Sequence, residues 1–331
     1  MHVIRSLRAA ARRGAAGLLL GLAAVLPAAA QEKVTVITTW FAQAEHGGLY
    51  QAVANGLYKK DGLDVTIKMG GPQVNGVQLL AAGQADFLMG KDFQVLNGIQ
   101  SGVPMVTVAA VFQKEPQGMV THPDVNSLAE LKGKTILLAT SGRTSWYPWL
   151  KAKYGLTDEQ TRPYTFNMQP FFADKNTVQQ GYPGSEPFTA QQAGQKVKFF
   201  LFADEGYPPY GNTIVAMQKM VKEKPDVVQR FVKATIEGWK SYLQDPAPGN
   251  ALIKKDNPKM DDATLAYGVK VMKEMHFFDG GDAAKMGAGI MTDARWQKTY
   301  ELMVTSELLK PMPNWKDAYT LQFVKDLKVM P

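Results

Sequence analysis

Apolar and polar residues alternate along the first third of the chain with the periods of short strands and short helices. Residues 34–37 form an apolar run typical of a buried strand, and residues 49–58 carry apolar side chains at helical spacing. The alternation repeats through residues 64–112 and predicts four strands separated by three helices. Strands and helices in this order form a mainly parallel sheet flanked by helices, so we predict an α/β fold.

A second set of strands and helices follows, and a mostly helical stretch ends the chain. Strands are predicted at residues 135–140, 164–168, 197–202 and 213–217, and helices at residues 146–154, 174–180, 188–193, 225–243 and 261–275, with more helix within residues 286–308 and 315–329. Segments 112–118 and 203–212 would cross between the two strand sets and form a hinge. We therefore predict two lobes, one of residues 31–112 and 213–331, the other of residues 113–212.

The first 30 residues have the pattern of an export signal. Four arginines precede an apolar stretch, Ala15 to Leu26, that is too short to span a bilayer, and three alanines follow at residues 28–30. We expect a cleavable signal peptide of residues 1–30 and a mature protein in the periplasm, with an uncleaved anchor as the alternative. Arg12-Arg13 leaves both the general and the twin-arginine export routes open.

Composition excludes several classes of function. The chain has 331 residues and no cysteine, which excludes disulfides, thiolate nucleophiles and cysteine-ligated metal centres. The four histidines are far apart in sequence, so no metal site is predicted. Loss of four arginines with residues 1–30 lowers the basic residues from 37 to 33 against 30 acidic ones, too small an excess for a nucleic-acid-binding surface. We expect a monomer without a cofactor.

Polar and aromatic residues lie where predicted strands end and helices begin. Trp40, Glu45 and His46 follow the first strand, Gly71 follows the second, and Asp92 follows the third. Ligands of open α/β sheets bind at this edge, where helix N-termini also present free N–H groups. An aromatic plate, an acid and an imidazole would suit a flat, polar, nitrogen-containing ligand. Alternatively, Trp40 belongs to the core, Glu45 and His46 to a solvated helix start, and Gly71 to a plain tight turn.

The second lobe offers a corresponding set of residues. Arg143, Thr144 and Ser145 form a polar turn before a helix and would present a guanidinium, hydroxyls and free N–H groups to a cleft. Tyr182 and Glu186, in a turn rich in glycine and proline, would place an aromatic ring beside a hydrogen-bond acceptor. Alternatively, these are ordinary turn residues, with Tyr182 filling the lobe surface and Glu186 capping the next helix.

Several segments of the mature chain resemble one known family. They are Trp40 with Glu45-His46-Gly47-Gly48-Leu49-Tyr50, residues 56–65, Gly70-Gly71 with residues 79–87, residues 131–135, and Lys224-Pro225 with residues 228–231 and 238–239. These segments resemble periplasmic solute-binding proteins of ABC importers, in the group that binds nitrate, sulfonates, taurine and precursors of the thiamine pyrimidine. The resemblance implies the two-lobed, type II-like periplasmic-binding-protein fold, a small-molecule ligand between the lobes, and a permease in the inner membrane as partner.

Within that group, the chain is most similar to proteins that bind formylated aminopyrimidines, the salvage precursors of thiamine. In those proteins a Trp after the first strand and a Tyr and a Glu of the second lobe hold the pyrimidine, and Trp40, Tyr182 and Glu186 match those places. Glu45-His46-Gly47 stands where many such binders have Asn-His-Thr. A riboflavin-like heterocycle, a sulfonate and nitrate therefore stay open as ligands.

Two other functions remain as alternatives to a binding protein. A eukaryotic branch of the same superfamily makes the thiamine pyrimidine enzymatically, but it uses a cysteine-rich motif that this chain lacks. An enzyme with His46 as base and Glu45 as its orienting group is the first alternative, and a sensory module of the same fold is the second. We expect a binding protein without catalytic residues.

Overall fold

Ten strands form two five-stranded sheets in the computed structural model, which describes residues 31–331. The strands are β1 (Glu32–Ile37), β2 (Leu63–Lys68), β3 (Phe87–Gly90), β4 (Met105–Phe112), β5 (Gly118–Thr121), β6 (Thr135–Leu138), β7 (Thr161–Pro163), β8 (Thr177–Gly181), β9 (Lys198–Leu201) and β10 (Gly211–Met217). The predicted signal peptide, residues 1–30, lies outside the described residues.

Each sheet has four strands in one direction and one strand in the other. The first sheet has the order β2-β1-β3-β10-β4, with parallel pairing around β1 and antiparallel pairing on both sides of β10. The second has the order β7-β6-β8-β5-β9, with β5 as the reversed strand. Strands β3 and β4 are buried along their whole length, as expected for strands covered by helices on both faces.

Fourteen helices flank these sheets within the described chain. They are α1 (Gly47–Ala54), α2 (Leu57–Lys60), α3 (Gly76–Ala81), α4 (Asp92–Gln100), α5 (Thr140–Arg143), α6 (Tyr147–Tyr154), α7 (Gln169–Ala173), α8 (Glu186–Gln192), α9 (Gln218–Glu223), α10 (Pro225–Gln244), α11 (Ala247–Asp256), α12 (Asp262–Glu274), α13 (Ala283–Met286) and α14 (Asp293–Thr305). None of the helices in residues 31–331 combines the length and apolar character that a membrane crossing needs.

The chain passes between the sheets twice. Residues 113–117 lead from β4 into β5, and residues 202–210 lead from β9 into β10. Each reversed strand is therefore the first strand after a crossing: β10 lies between β3 and β4, which precede it in the sequence, and β5 lies between β8 and β9, which follow it. This topology confirms the predicted α/β fold with two sheets, and it explains why the sheets are mixed although most strands share one direction.

The close packing of α1 on α10 holds the loop that follows β1 in place. A methyl group at Gly48 would lie 2.2 Å from the Trp239 ring, and one at Gly47 would lie 2.1 Å from the Tyr242 ring. Helix α10 buries Val228, Phe231, Val232, Ile236 and Trp239 along one face, as its apolar spacing predicts. The two glycines thus allow α1 to lie directly against large aromatic side chains.

Four predicted elements differ from the structure. The helix predicted at residues 174–180 is wrong, because that segment contains strand β8, and the strand predicted at residues 164–168 instead lies at Thr161–Pro163. The single helix predicted at residues 49–58 is divided into α1 and α2 by Gly56, which has a φ of 67°. Of residues 315–329, only Trp315–Ala318 form a short 3₁₀ helix.

Candidate ligand-binding cleft

A cleft lies between the two sheets and is lined by residues of both. The space that it encloses is about 30 Å³, so its two sides lie in near contact. The lining residues are Thr39, Trp40, Gln43, Lys91, Gln117, Ser141, Ser145, Trp146, Gln180, Gly181, Tyr182 and Glu186. Four of the ten residues singled out from the sequence, Trp40, Ser145, Tyr182 and Glu186, are therefore brought together here.

The ends of strands bring these side chains together. Thr39, Trp40 and Gln43 follow β1, Lys91 follows β3, and Ser141, Ser145 and Trp146 follow β6, while Gln180 and Tyr182 stand at the end of β8. All four strands present their carboxyl ends to the cleft, which is where parallel strands place ligand-binding loops. The Thr38 hydroxyl fixes the first loop, because it donates to the Trp40 carbonyl at 2.7 Å and accepts from the Gly70 N–H at 3.0 Å.

Trp40 lies between the sheets rather than within the core of the first one. Its ring stacks on Tyr164, which follows β7 of the second sheet, with ring centroids 5.8 Å apart and planes inclined by 11°. It belongs to a small apolar cluster with Val120 of β5, Leu137 of β6 and Phe171 of α7. Trp40 is thus both a packed residue and a wall of the cleft.

The Glu186 carboxylate is held by three donors. Tyr164 donates its hydroxyl to Oε1 at 2.9 Å, the Tyr182 N–H donates to Oε2 at 2.8 Å, and the Ser185 hydroxyl also donates to Oε2. Burial raises the pKa of the Glu186 carboxyl above its ordinary 4.5, although these hydrogen bonds oppose the rise. Oε1 keeps room for one more donor, which a bound molecule can supply.

Lys91 was not singled out from the sequence, yet it is the cation of the cleft lining. Its ammonium lies 2.7 Å from both carboxylate oxygens of Glu115 and 3.1 Å from the Tyr182 hydroxyl. An ammonium has three protons, so these contacts use all of them. Lys91 is buried, and the attraction of Glu115 overcomes burial to raise its pKa above the usual value. Because its neighbour Glu115 neutralises it, Lys91 offers no free positive charge.

Glu45 and His46 do not line the cleft. Both lie in a short 3₁₀ helix, Ala44–His46, and their side chains are fully buried. Burial, and to a lesser extent Glu186, raises the pKa of the Glu45 carboxyl from 4.5 to about 7. Burial, with Lys91 nearby, lowers the pKa of the His46 imidazole from 6.5 to about 3. The tight turn points these side chains inward, so the expectation of a solvated helix start is wrong too.

Asp92 is also buried behind the cleft rather than in it. Its Oδ2 accepts the Tyr210 N–H at 2.8 Å, whereas Oδ1 has no partner among residues 31–331. Burial raises the pKa of the Asp92 carboxyl from 3.8 to about 7. Asp92 begins α4, so its carboxyl anchors the segment that crosses back to β10 instead of facing a ligand.

The three remaining predicted residues lie at the edge of the site. Arg143 and Thr144 are exposed at the end of α5, and Thr144 lines a smaller neighbouring pocket instead of the cleft. Gly71 is buried, and a methyl group there would lie 3.2 Å from the Phe41 ring. It therefore packs beneath the first loop. The α5 turn directs Ser145 inward and Arg143 outward, which separates two residues that the sequence placed together.

Three glutamines line the cleft and were missed in the sequence. Gln43 is buried, and its side-chain oxygen has no partner within residues 31–331. Gln117 precedes β5, and Gln180 belongs to β8. In strands with one buried face, polar residues usually face solvent, so pattern alone gives no signal for inward glutamines. Their position next to strand ends on the cleft side is the feature that marks them.

The cleft is closed by direct contacts between elements on its two sides. The Thr140 N–H donates to the Pro72 carbonyl at 3.0 Å, and the rings of Phe188 and Tyr267 stack with centroids 4.6 Å apart. Glu45 touches Gly184, where an added methyl group would lie 2.6 Å from its Oε1. No cluster of three or more His, Asp or Glu residues suited to a metal ion occurs in the described chain.

Two relatives found by sequence comparison are both named as binding proteins. The chain is 25% identical over 305 residues to the riboflavin-binding protein RibY of Chloroflexus aurantiacus, covering 88% of this chain and 86% of that one. It is 25% identical over 227 residues to the formylaminopyrimidine-binding protein of Halalkalibacterium halodurans, covering 66% of this chain and 68% of that one.

Comparison with solved structures identifies the fold. A ligand-binding component of an ABC-type import system from Staphylococcus aureus superposes with a TM-score of 0.64 at 14% identity, covering 90% of this chain and 99% of that one. The architecture is the α/β fold of periplasmic binding proteins. The family model described as NMT1/THI5 like matches residues 43–248, and the chain accordingly belongs to the NMT1/THI5-like family.

Proposed function

We propose that the chain is the extracytoplasmic solute-binding component of an ABC import system. In this proposal, an uncharged, flat, nitrogen-containing heterocycle similar to a thiamine-pyrimidine precursor binds in the cleft, and the closed protein delivers it to a permease. The two lobes would be residues 31–112 with 213–331, and residues 113–212. They would close on the ligand about the two crossing segments.

The chemistry of the cleft lining is the observation that carries this proposal. Aromatic rings of Trp40, Trp146 and Tyr182 supply flat apolar surface, and Glu186 keeps an acceptor position for a ligand N–H. Stacking on such rings and a charge-assisted hydrogen bond are the interactions that hold an amino-substituted aromatic ring. A ligand without a ring would leave most of this surface unused.

The electrostatics of the same residues argue against a sulfonate or nitrate. The cleft-lining cation is Lys91, and Glu115 and Tyr182 already take its three protons. Arg143, which an anion would require, is exposed and away from the lining. An anion entering the cleft would meet the Glu186 carboxylate without a free cation to balance it, which is costly in a buried site.

A riboflavin-like ligand is the second candidate. The likeness to the riboflavin-binding protein extends over 88% of this chain, against 66% for the formylaminopyrimidine-binding protein. Aromatic residues on both sides of the cleft also suit more than one fused ring. Both candidates need the same aromatic walls, so they differ in size rather than in chemistry.

Catalysis by His46 and Glu45 is disfavoured by their placement. Both ring nitrogens of His46 are buried and have no partner in residues 31–331, and neither side chain reaches the cleft. A general base must lie within hydrogen-bond reach of the proton that it removes. The relatives named for binding riboflavin and formylaminopyrimidine support the same choice.

A thermal-unfolding panel on residues 31–331 tests the proposal. The compounds are a formylaminopyrimidine, 4-amino-2-methylpyrimidine, riboflavin, taurine, an alkanesulfonate and nitrate. A ligand that binds the native state raises the melting temperature by mass action, so a pyrimidine or riboflavin should raise it and the anions should not. A rise with taurine, the alkanesulfonate or nitrate alone would keep the fold and refute the proposed ligand class.

A further inference from the structure

Two glutamine side chains of the cleft are held in opposite orientations by the backbone. The Gln117 Nε2 donates to the Gly181 carbonyl at 2.9 Å and to the Gly118 carbonyl at 3.3 Å. The Gln180 Oε1 accepts the Ala139 N–H at 2.7 Å. A carbonyl can only accept and an N–H can only donate, so neither amide can be reversed without placing like groups against each other.

These fixed orientations leave one free acceptor and one free donor group. Gln117 keeps its side-chain oxygen, and Gln180 keeps its side-chain NH₂; neither atom has a partner among residues 31–331. Both residues line the cleft and are 5% exposed, so a ligand is the natural partner for these atoms. Neither atom belongs to the fully buried unpaired groups of the described residues, so both stay accessible to a ligand in the cleft.

The sheet places the two glutamines side by side. Antiparallel pairing of β5 with β8 matches Gly118 with Gly181 and Met119 with Gln180. Side chains alternate along strands, so Gln117, Met119 and Gln180 extend from the same face of the sheet. Gln117 and Gln180 are then diagonal neighbours across the two strands, close enough to contact adjacent atoms of one ring.

The surrounding polar groups carry no uncompensated positive charge. The Tyr182 hydroxyl accepts a hydrogen bond from Lys91, so its own proton is available to an acceptor on the ligand. The Ser145 hydroxyl donates to the Ser141 carbonyl at 2.6 Å. Hydrogen bonding by oriented neutral groups, rather than ion pairing, is therefore what distinguishes one ring from another in this cleft.

We propose that Gln117 and Gln180 form a specificity-determining pair that recognises an N–H next to a hydrogen-bond acceptor on the edge of a heterocycle. Gln117 Oε1 receives the ligand N–H, and Gln180 Nε2 donates to the adjacent ring nitrogen or carbonyl oxygen. The amidine edge of an aminopyrimidine and the imide edge of a flavin both have this pattern. The inference rests on the proposed function and names the feature that the accepted rings share.

Isothermal titration calorimetry with two pairs of probes tests this inference. 4-Amino-2-methylpyrimidine is compared with 2,4-dimethylpyrimidine, and riboflavin with 3-methylriboflavin, in which a methyl group replaces the N–H. The native protein should bind the N–H member of whichever pair it accepts at least about tenfold more tightly, because the methyl group leaves Gln117 Oε1 unpaired. Equal affinities within that pair would overturn the inference while leaving the proposed function intact.

Variants separate recognition from structural effects. Gln180→Glu keeps the acceptor for Ala139 but replaces the free donor by an acceptor, and Gln117→Met removes the free acceptor. Gln180→Glu should lower the affinity for both members of the probe pair, since each keeps the ring acceptor, and Gln117→Met should reduce the discrimination within the pair to about threefold or less. Gln191→Glu, at an exposed position of α8, is the matched control and should keep the native affinity and discrimination.

The outcomes separate failure of the glutamine pair from failure of the proposed function. An unchanged ratio in folded Gln117→Met, or an unchanged affinity in folded Gln180→Glu, would overturn the assignment of the pair. Failure of both variants to fold would still leave the ratio measured on the native protein as the test. If the native protein binds none of the four heterocycles, the proposed function itself is refuted, and the inference falls with it.

Discussion

Trp40 packs in an apolar cluster and also lines the cleft. Its ring stacks on Tyr164 and contacts the edge of Phe166, while another part of its surface lines the cleft. The two interpretations that the sequence left open, core residue and ligand plate, therefore do not exclude each other. Position after β1 was sufficient to identify Trp40, because the carboxyl end of a parallel strand fixes the location of the residues that follow.

Replacement of Trp40 should weaken ligand binding more than it weakens the fold. Trp40→Ala should lower affinity for a heterocycle by at least about 1 kcal/mol because stacking surface is lost, and Trp40→Phe should retain part of it. Trp315→Ala, which removes a stacked indole remote from the cleft, is the control. Calorimetry on the three variants gives the comparison, and an unchanged dissociation constant in Trp40→Ala would remove Trp40 from the site.

Lys91 is a cleft-lining residue that the sequence analysis missed. A lysine in a Gly-Lys-Asp turn is usually solvated, and its partner Glu115 lies 24 residues further along the chain. Gln117 and Gln180 were missed for a related reason: the partners that orient them are backbone groups of other strands. Tertiary partners decide these roles, and no local pattern reports them.

Removal of Lys91 should be strongly destabilising because it leaves Glu115 buried without a partner. Lys91→Met should lower the free energy of unfolding by about 3–5 kcal/mol. The double variant Lys91→Met/Glu115→Gln should recover part of the loss. Lys151→Met breaks an exposed pair with Asp158 and should cost less than about 1 kcal/mol. Urea denaturation measures all three, and equal losses in Lys91→Met and Lys151→Met would contradict the buried pair.

At the scale of elements, the predictions held where apolar periodicity was strong. Strands β1 to β4 and helices α10 and α12 lie close to their predicted positions because long apolar faces identify them. Strand β8 was mistaken for a helix because Gln179 and Gln180 are polar although the strand is buried throughout. The boundary of β7 was also wrong, since a three-residue strand carries too little pattern to be located.

The contact of α1 with α10 gives a prediction for an element that supports the site. Gly48→Ala should lower the free energy of unfolding by about 1–3 kcal/mol because the new methyl group overlaps the rigid Trp239 ring. Gly76→Ala is the matched control, since its methyl group would meet only the end of the flexible Leu88 side chain, at 2.6 Å. Chemical denaturation of both variants tests the contrast. Similar losses at the two sites would show that α1 can move away from α10.

Carboxyl groups from both sides of the cleft are buried in the molecule as a whole. Glu45 lies against Gly184, and its pKa is raised first by burial and then by Glu186. Asp92 is buried in the same region with a pKa raised to about 7. Glu45 and Glu186 thus lie near each other in a dry environment, which favours their protonated forms.

The raised pKa of Glu45 makes stability depend on pH with a definite sign. The folded protein holds this proton up to about pH 7, whereas the unfolded chain releases it near 4.5, so stability falls as pH rises through that interval. Glu45→Gln should therefore be nearly neutral at pH 4.5 and stabilising at pH 8, by up to about 3 kcal/mol.

Urea midpoints of Glu45→Gln and native protein at the two pH values give this measurement. Glu301→Gln, at an exposed position of α14, serves as the control and should show no such change between pH 4.5 and 8. A Glu45→Gln effect of the same size at both pH values would mean that the Glu45 carboxyl has the same pKa in the folded and the unfolded protein, which would contradict its burial as a neutral acid.

Competitive native mass spectrometry tests directly whether a neutral aromatic ring binds in the cleft. Residues 31–331 are mixed with equal concentrations of 4-amino-2-methylpyrimidine, a formylaminopyrimidine, riboflavin, taurine and an alkanesulfonate, and the mass of the complex identifies the occupant. We expect a one-to-one complex with a pyrimidine or riboflavin that is lost in Trp40→Ala. A complex with taurine or the alkanesulfonate, or none with any heterocycle, would contradict the account.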